Sequence, residues 1–252
     1  MAKDVPLADD LRNFAERTRD LLRLTIEQGL RNDTRPNRDV VHWYVGLGTL
    51  AWDVSGSIMR LVSMSDVRAA SMLNRSLFEY WIRIRFYAKY PDKASRAIRQ
   101  LPTRIGKIDT AIVDIRELDA LTKDERDELE QFAATGTKIE RENFRNGVLE
   151  KVMSKDDADR YYDFFYGKAS AWIHGYETML ADVLSDHFHR LPNPQPHWQT
   201  RRLKANDTAA VCIHNVLDVV DAIREARSLP RERVLNEKWV ELQRDLQSRG
   251  HL

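Results

Sequence analysis

Apolar side chains recur at three- and four-residue steps through nearly every long segment of this chain, which is the spacing of amphipathic helices. Leu7, Leu11, Phe14, Thr18, Leu21, Leu22 and Thr25 form the first stripe, with Asp, Arg and Glu between them, and predict a helix over about Leu7 to Arg31. The run from Asn32 to Asn37 reads as a loop by composition. Val41, Tyr44, Val45, Gly48, Ala51 and Trp52 mark a second helix, in which Gly46 and Gly48 are expected to allow close packing. Ser63, Ser65 and Asp66 offer capping oxygens for a third helix that runs to about Tyr90, before Pro91. It is apolar on most sides, so it belongs at the centre.

A short helix is expected near Asp92–Gln100, and another after Pro102, marked by Ile105, Ile108, Ile112 and Ile115. Thr122 and Glu125 form a capping box at the start of a charged, exposed helix. Gly136 and Gly147 bracket a polar connection, after which Ser154 and Asp157 open a long segment with Tyr161, Tyr162, Phe165, Trp172, Ile173, Tyr176, Leu180 and Val183 at helical spacing. This is the expected second central helix. Pro192, Pro194 and Pro196 keep the stretch from His187 to Lys204 irregular, and helices over about Asp207–Ser228 and Arg231–Arg249 complete the chain.

The pattern predicts an all-α fold: a single domain over residues 1–252, with about seven to nine helices packed around two central ones. The core is expected at about residues 41–184, with 205–249 as helical cover. There is no internal repeat and no strand-like alternation with hairpin signals. Composition agrees, because 10 Gly and 8 Pro in 252 residues leave little turn chemistry for a many-stranded sheet. Forty basic and 39 acidic side chains give a net charge of +1, so no field of one sign covers the molecule to hold a nucleic acid or an acidic membrane. Cys212 is the single cysteine, which excludes an internal disulfide and a cysteine-based zinc site. With no leader-like segment at Met1 and no span of roughly 18 apolar residues, the expectation is a soluble cytoplasmic protein without contact to membranes. The six Trp suggest apolar area beyond what one chain covers, hence a homodimer.

Two groups of polar residues interrupt the apolar faces. Arg75, Glu79 and Arg83 stand at i, i+4 and i+8 on the third helix beside Asn74, Leu77, Phe78, Trp81 and Ile82. An ion pair is natural at that spacing, and in apolar company a charge must be paired to avoid a desolvation penalty. It reads either as a structural network that fixes helix register or as an anion-binding arginine oriented by a carboxylate. Further along, Ser170, His174 and Glu177 fall at i, i+4 and i+7, so an imidazole able to move protons near neutrality has a hydroxyl and a carboxylate along one stripe. A serine on a regular helix lacks the strained elbow and oxyanion donors of serine hydrolases, which leaves a core histidine or an acid–base group. His187, His189 and His197, with Asp182 and Asp186, are the single cluster that invites a metal, but histidines among prolines read as solvated, and no metal or other cofactor is expected. His197, Trp198, Arg201, Arg202 and Lys204 add an aromatic beside cations, the makings of a nucleic-acid contact or of a solvated helix approach. His42, His214 and Cys212 sit on apolar-periodic segments and read as core.

The run Asn74-Arg75-Ser76-Leu77-Phe78-Glu79-Tyr80, followed later by Tyr161-Tyr162 and Ser170-Ala171-Trp172-Ile173-His174-Gly175, resembles an uncharacterised family of bacterial all-helical proteins with an Arg-x-x-x-Glu helix and a later Ser-x-x-x-His helix. The resemblance covers about Val41 to Leu184. More distantly the chain resembles the HEPN group of nucleotide-binding and ribonuclease domains, many of which serve toxin and phage-defence systems. Where those ribonucleases carry an arginine four to six residues from the histidine, this chain has Lys168. The resemblance implies RNA or a nucleotide as partner and metal-independent RNA cleavage. His174, Arg75, Glu79 and Ser170 would then be the catalytic group, and Tyr161, Tyr162, Arg83 and Asn74 would contact substrate. A non-catalytic helical binding or assembly module, with Arg75–Glu79 and Ser170–His174 joined in a buried polar network, is the alternative.

Overall fold

The structure, a computed structural model, describes residues 7–32, 38–103, 123–135, 144–163 and 205–250. Every regular element among them is helical. In chain order these are α1 (Asp9–Asn32), α2 (Arg38–Ser63), α3 (Val67–Lys89), α4 (Pro91–Arg99), α5 (Lys123–Ala134), a π-helical turn (Phe144–Leu149) running into the single turn α6 (Glu150–Val152), α7 (Lys155–Tyr161), α8 (Ala205–Ala226) and α9 (Arg233–Ser248).

Four long helices, α1, α2, α3 and α8, pack on one another and enclose the core. The predicted stripe of α1 is buried except for the half-buried Leu21: Leu7, Leu11, Phe14 and Leu22 point inward together with Thr18 and Thr25, and Ile26, outside that stripe, joins them. The two threonines are tolerated there because each hydroxyl donates back to a carbonyl one turn earlier, Phe14 O and Leu21 O, both at 2.8 Å. At the α2–α3 junction Ser65 adopts a left-handed conformation, with φ at 64°. Asp66 then caps α3 by accepting from Ala69 N at 3.2 Å. Pro91 stands at the first turn of α4, where its missing N–H is no loss, and α4 is tied back to α2 by Trp43 Nε1 donating to Ala94 O at 3.1 Å.

Several expectations need correction. The segment expected as cover contains the helix that fills the core: α8 buries Ala209, Ala210, Cys212, Ile213, Val216, Leu217, Val219, Val220, Ala222 and Ile223 and packs on α1, α2 and α3. Its small residues let three helices approach it, and an apolar count that favours large side chains undervalues such a helix. Gly48 is buried between α1 and α8, but Gly46 faces open space. His42 is exposed and His214 half-exposed, whereas Cys212 is buried, where burial pushes its thiol up to about 12. Gly147 lies inside the π-helical turn, whose Val148 and Leu149 are buried, rather than at the edge of a polar connection. Ser154 caps α7 as expected, accepting from Asp157 N at 3.2 Å. The remainder of the long segment that Ser154 was expected to open, the isoleucine-marked helix over 105–115 and the capping residue Thr122 lie outside the described residues.

No helix among the described residues is long and apolar enough to cross a membrane.

Candidate functional site

Helical spacing alone brings Arg75 and Glu79 together on α3, and the structure pairs them: Arg75 Nε donates to Glu79 Oε1 at 3.0 Å. Arg83 Nη2 stands 4.0 Å from Glu79 Oε2, so one carboxylate holds two guanidinium groups a turn apart on each side. The side chains of Arg75 and Glu79 are only 16% and 24% exposed, which removes the solvent screening that makes surface pairs weak. Arg83, at 34%, is the most open of the three.

What surrounds this stripe is aromatic. Phe144, from the π-helical turn, lies under the Arg83 guanidinium with its ring centre 5.5 Å away, a cation–π arrangement. Phe78 meets Phe144, Trp81 and Tyr161 with ring centres 5.7–6.1 Å apart, and the Tyr161 ring lies parallel to it. Tyr162 takes the guanidinium of Arg145 over its face at 5.3 Å, and Arg145 in turn pairs with Asp159. Of the residues picked out by sequence, Arg75, Glu79 and Arg83 therefore share one stripe, and Tyr161 joins it through Phe78. Ser170 and His174, together with Glu177, Lys168 and the histidines of the proline-rich stretch, lie outside the described residues.

Asn74 is placed differently from the expectation of a substrate contact. It is buried against α8, where its Nδ2 donates to Thr208 O at 3.1 Å. Asn215 Nδ2 donates to Asn74 O at 3.3 Å, and the Ser71 and Thr208 hydroxyls stand 3.3 Å apart. These polar contacts fix the axial register of α3 on α8. The side-chain oxygens of Asn74 and Asn215 have no hydrogen-bond partner.

A second ionisable group, missed from sequence because His214 reads as core, runs along α8. His214 Nε2 stands 3.5 Å from Asp218 Oδ2. Arg85, the cation α3 brings to this side, pairs with Glu225 at 3.2 Å. Asp221 accepts from Glu232 N at 2.9 Å and from Asn236 Nδ2 at 3.1 Å, and so anchors the entry to α9. The signal available in the sequence was the recurrence of His214, Asp218, Asp221 and Glu225 on one helical face of an otherwise apolar segment.

Residues 45–189, more than half of the chain, match a family described as a family of unknown function (DUF5677). This chain belongs to that family. No curated protein and no solved structure matches it. The DUF5677 match takes in the whole of α3, with Arg75, Glu79 and Arg83, as well as Tyr161, Tyr162, Ser170 and His174. It leaves out α1, α8 and α9, so the His214–Asp218 pair stands on a helix beyond the matched residues. Among the described residues no group of three or more His, Cys, Asp or Glu side chains could hold a metal ion.

Proposed function

We propose that this DUF5677 member binds RNA or a nucleotide on the Arg75–Glu79–Arg83 face of α3 and cleaves RNA through His174 without a metal, as part of a bacterial defence or toxin system. The observation that carries the reading is the half-buried guanidinium row held by one carboxylate beside an aromatic cluster. Phosphate recognition asks for oriented cations, and base recognition asks for stacking surfaces. Arg75 is oriented by Glu79, Arg83 by Phe144, and Tyr161 belongs to the same aromatic surroundings, while Tyr162, next in the chain, carries the Arg145 guanidinium over its ring. The defence or toxin setting rests on the HEPN resemblance alone, and the working unit is taken to be a homodimer.

Cleavage by this route needs few groups. A base removes the proton of a ribose 2′-hydroxyl, the oxygen attacks the adjacent phosphorus, and the bond to the 5′-oxygen breaks, leaving a 2′,3′-cyclic phosphate. The departing 5′-oxygen takes a proton. An imidazole near neutral pH serves as base or acid, and a guanidinium stabilises the charge that builds on the phosphoryl oxygens. In this assignment His174 moves the proton, Ser170 orients it, Arg75 holds the phosphate and Glu79 holds Arg75. The test is incubation of purified protein with mixed RNA in EDTA, comparing wild type with a folded His174→Ala variant. Loss of cleavage in the variant alone supports the assignment, and equal RNA survival for both proteins across salt and pH ends it. Binding is tested separately with Arg83→Gln, which is expected to weaken RNA binding and lower its salt dependence by about one phosphate contact.

A second reading, a non-catalytic binding or assembly module, is favoured by the contacts of Asn74, Asn215, Ser71 and Thr208, which join α3 to α8. Under it, Arg75→Gln and Arg83→Gln change the melting temperature and leave RNA binding at the level of a neutral protein.

A further inference from the structure

Among the described residues, Asp218 is the one charged side chain with an oxygen among the buried groups that lack any hydrogen bond. Leaving such an atom unsatisfied is costly, more so for a charged group, so something in its surroundings must account for it. The charged and titratable groups that act on it come from every side. His214 and Asp221 share its helix, Arg85 comes from α3, Arg231 from the approach to α9, and Tyr161 from α7. Arg85 is drawn away by Glu225, and Asp221 adds like charge while engaged with Glu232 and Asn236. His214 Nε2, at 3.5 Å, is the nearest group able to answer the charge.

An outside ligand does not solve the problem. Oδ2 is closed off from solvent, so no amine, guanidinium or base edge reaches it without opening the helix junction. A proton needs no such opening, because the pair as a whole meets water: the side chains of His214 and Asp218 are 44% and 24% exposed.

We propose that Asp218 and His214 hold one proton in common and form a pH-responsive latch where α3, α7 and α8 meet, tightened when the proton is bound and loosened when it leaves. With the proton present, the pair is either a carboxylic acid facing an imidazole nitrogen or a carboxylate facing an imidazolium N–H. The net charge is the same in both, so the titration belongs to the pair. When the proton is lost, a carboxylate with a buried oxygen is left against a neutral ring.

The direction of the titration agrees with this geometry. Burial is the main cause that pushes the Asp218 carboxyl up to about 6, assisted by Asp221 and opposed by His214, Arg85 and Arg231. A carboxyl whose folded value lies above its ordinary 3.8 contributes stability that is complete below that ordinary value and is lost as pH rises through about 6. Tyr161 feels the same charge: burial chiefly raises its hydroxyl, and Asp218 raises it further.

The experiment is thermal unfolding of the full chain from pH 4.5 to 8 for wild type, Asp218→Asn and His214→Gln. The wild-type midpoint is expected to fall relative to Asp218→Asn by roughly 5 °C as pH rises through 6, the two converging at the acid end. His214→Gln is expected to keep that step but shift it to lower pH, because the form in which the imidazole carries the shared proton is gone. A wild-type minus Asp218→Asn difference that does not change with pH overturns the latch, and so does a step that stays at the same pH in His214→Gln. Should Asp218→Asn fail to fold, the carbon-13 titration of aspartate carboxyls in wild type decides: one carboxyl titrating near 6 supports the pair, and none above 5 rules it out.

Discussion

Gly46 and Gly48 stand two residues apart on α2 and meet opposite surroundings, so alanine at each position isolates packing from helix propensity. A Cβ at Gly46 would touch nothing within 4 Å. Alanine there gains the propensity difference of about 1 kcal/mol and no penalty. At Gly48 the same atom would come within 3.0 Å of Ile223 Cδ1 and of Ile26 Cγ1, and 3.1 Å of Ile26 Cδ1. Both isoleucines are buried, Ile223 completely, so neither can swing into solvent. Overpacking a full core costs about 1–3 kcal/mol, which outweighs the propensity gain. Gly46→Ala should therefore be more stable than wild type by about 0.5–1 kcal/mol and Gly48→Ala less stable by about 1 kcal/mol. Urea denaturation with a shared slope measures both. A cycle with Ile223→Val sharpens the test, because removing that Cδ1 costs about 0.5–1.5 kcal/mol in wild type and less in the Gly48→Ala background, where it relieves the clash. Gly48→Ala as stable as Gly46→Ala, or additive effects in the cycle, would refute the close approach of α1 and α8 at this position.

Glu79→Gln should cost about 1–2 kcal/mol, between the values for exposed and fully buried pairs, because Arg75 and Glu79 retain 16% and 24% exposure; a loss that vanishes in high salt would mean that water already screens the pair. A chain ending at residue 189, where the family match ends, should lose cooperative unfolding and bind apolar dyes, since removing α8 uncovers the inner faces of α1, α2 and α3; a sharp thermal transition in that shortened chain would show that the matched part holds its own core.

The helices were legible because each buries a stripe: Leu11, Phe14, Leu22 and Ile26 on α1 and Tyr44, Leu47, Ala51 and Ile58 on α2 repeat at helical steps and lie inward. The Arg75–Glu79 pair was legible for the same reason, since i and i+4 are neighbours on any helix. Rank within the bundle was not. α8 is rich in alanine and carries Asn206, Thr208 and Asn215 among its buried residues, and small or polar side chains count little toward an apolar stripe although they permit the closest packing. Asn74 illustrates the limit for sites, because beside Arg75 in sequence it reads as part of the same polar group. A step of one residue is about 100° around a helix, and it sends Asn74 to α8 while Arg75 stays on the other flank.

That turn of the helix explains how α3 serves two purposes with one short run of residues. Its face toward α8 carries Asn74 and Phe78, which are buried and which settle register through amide contacts and ring packing. The neighbouring flank carries Arg75, Glu79 and Arg83, which remain partly open. An ion pair left on that flank alone would be free to follow its solvent, but Phe78 holds Tyr161 and Phe144, and Phe144 lies under Arg83. The guanidinium row is thus positioned by rings whose own packing depends on the buried face. Tyr161 also feels Asp218 across the junction, so the charge state of a pair on α8 acts on a ring that belongs to the α3 cluster. A change in the register of α3 on α8 would therefore move the arginines without touching them, which is why variants on α8 are as informative about the candidate site as variants within it.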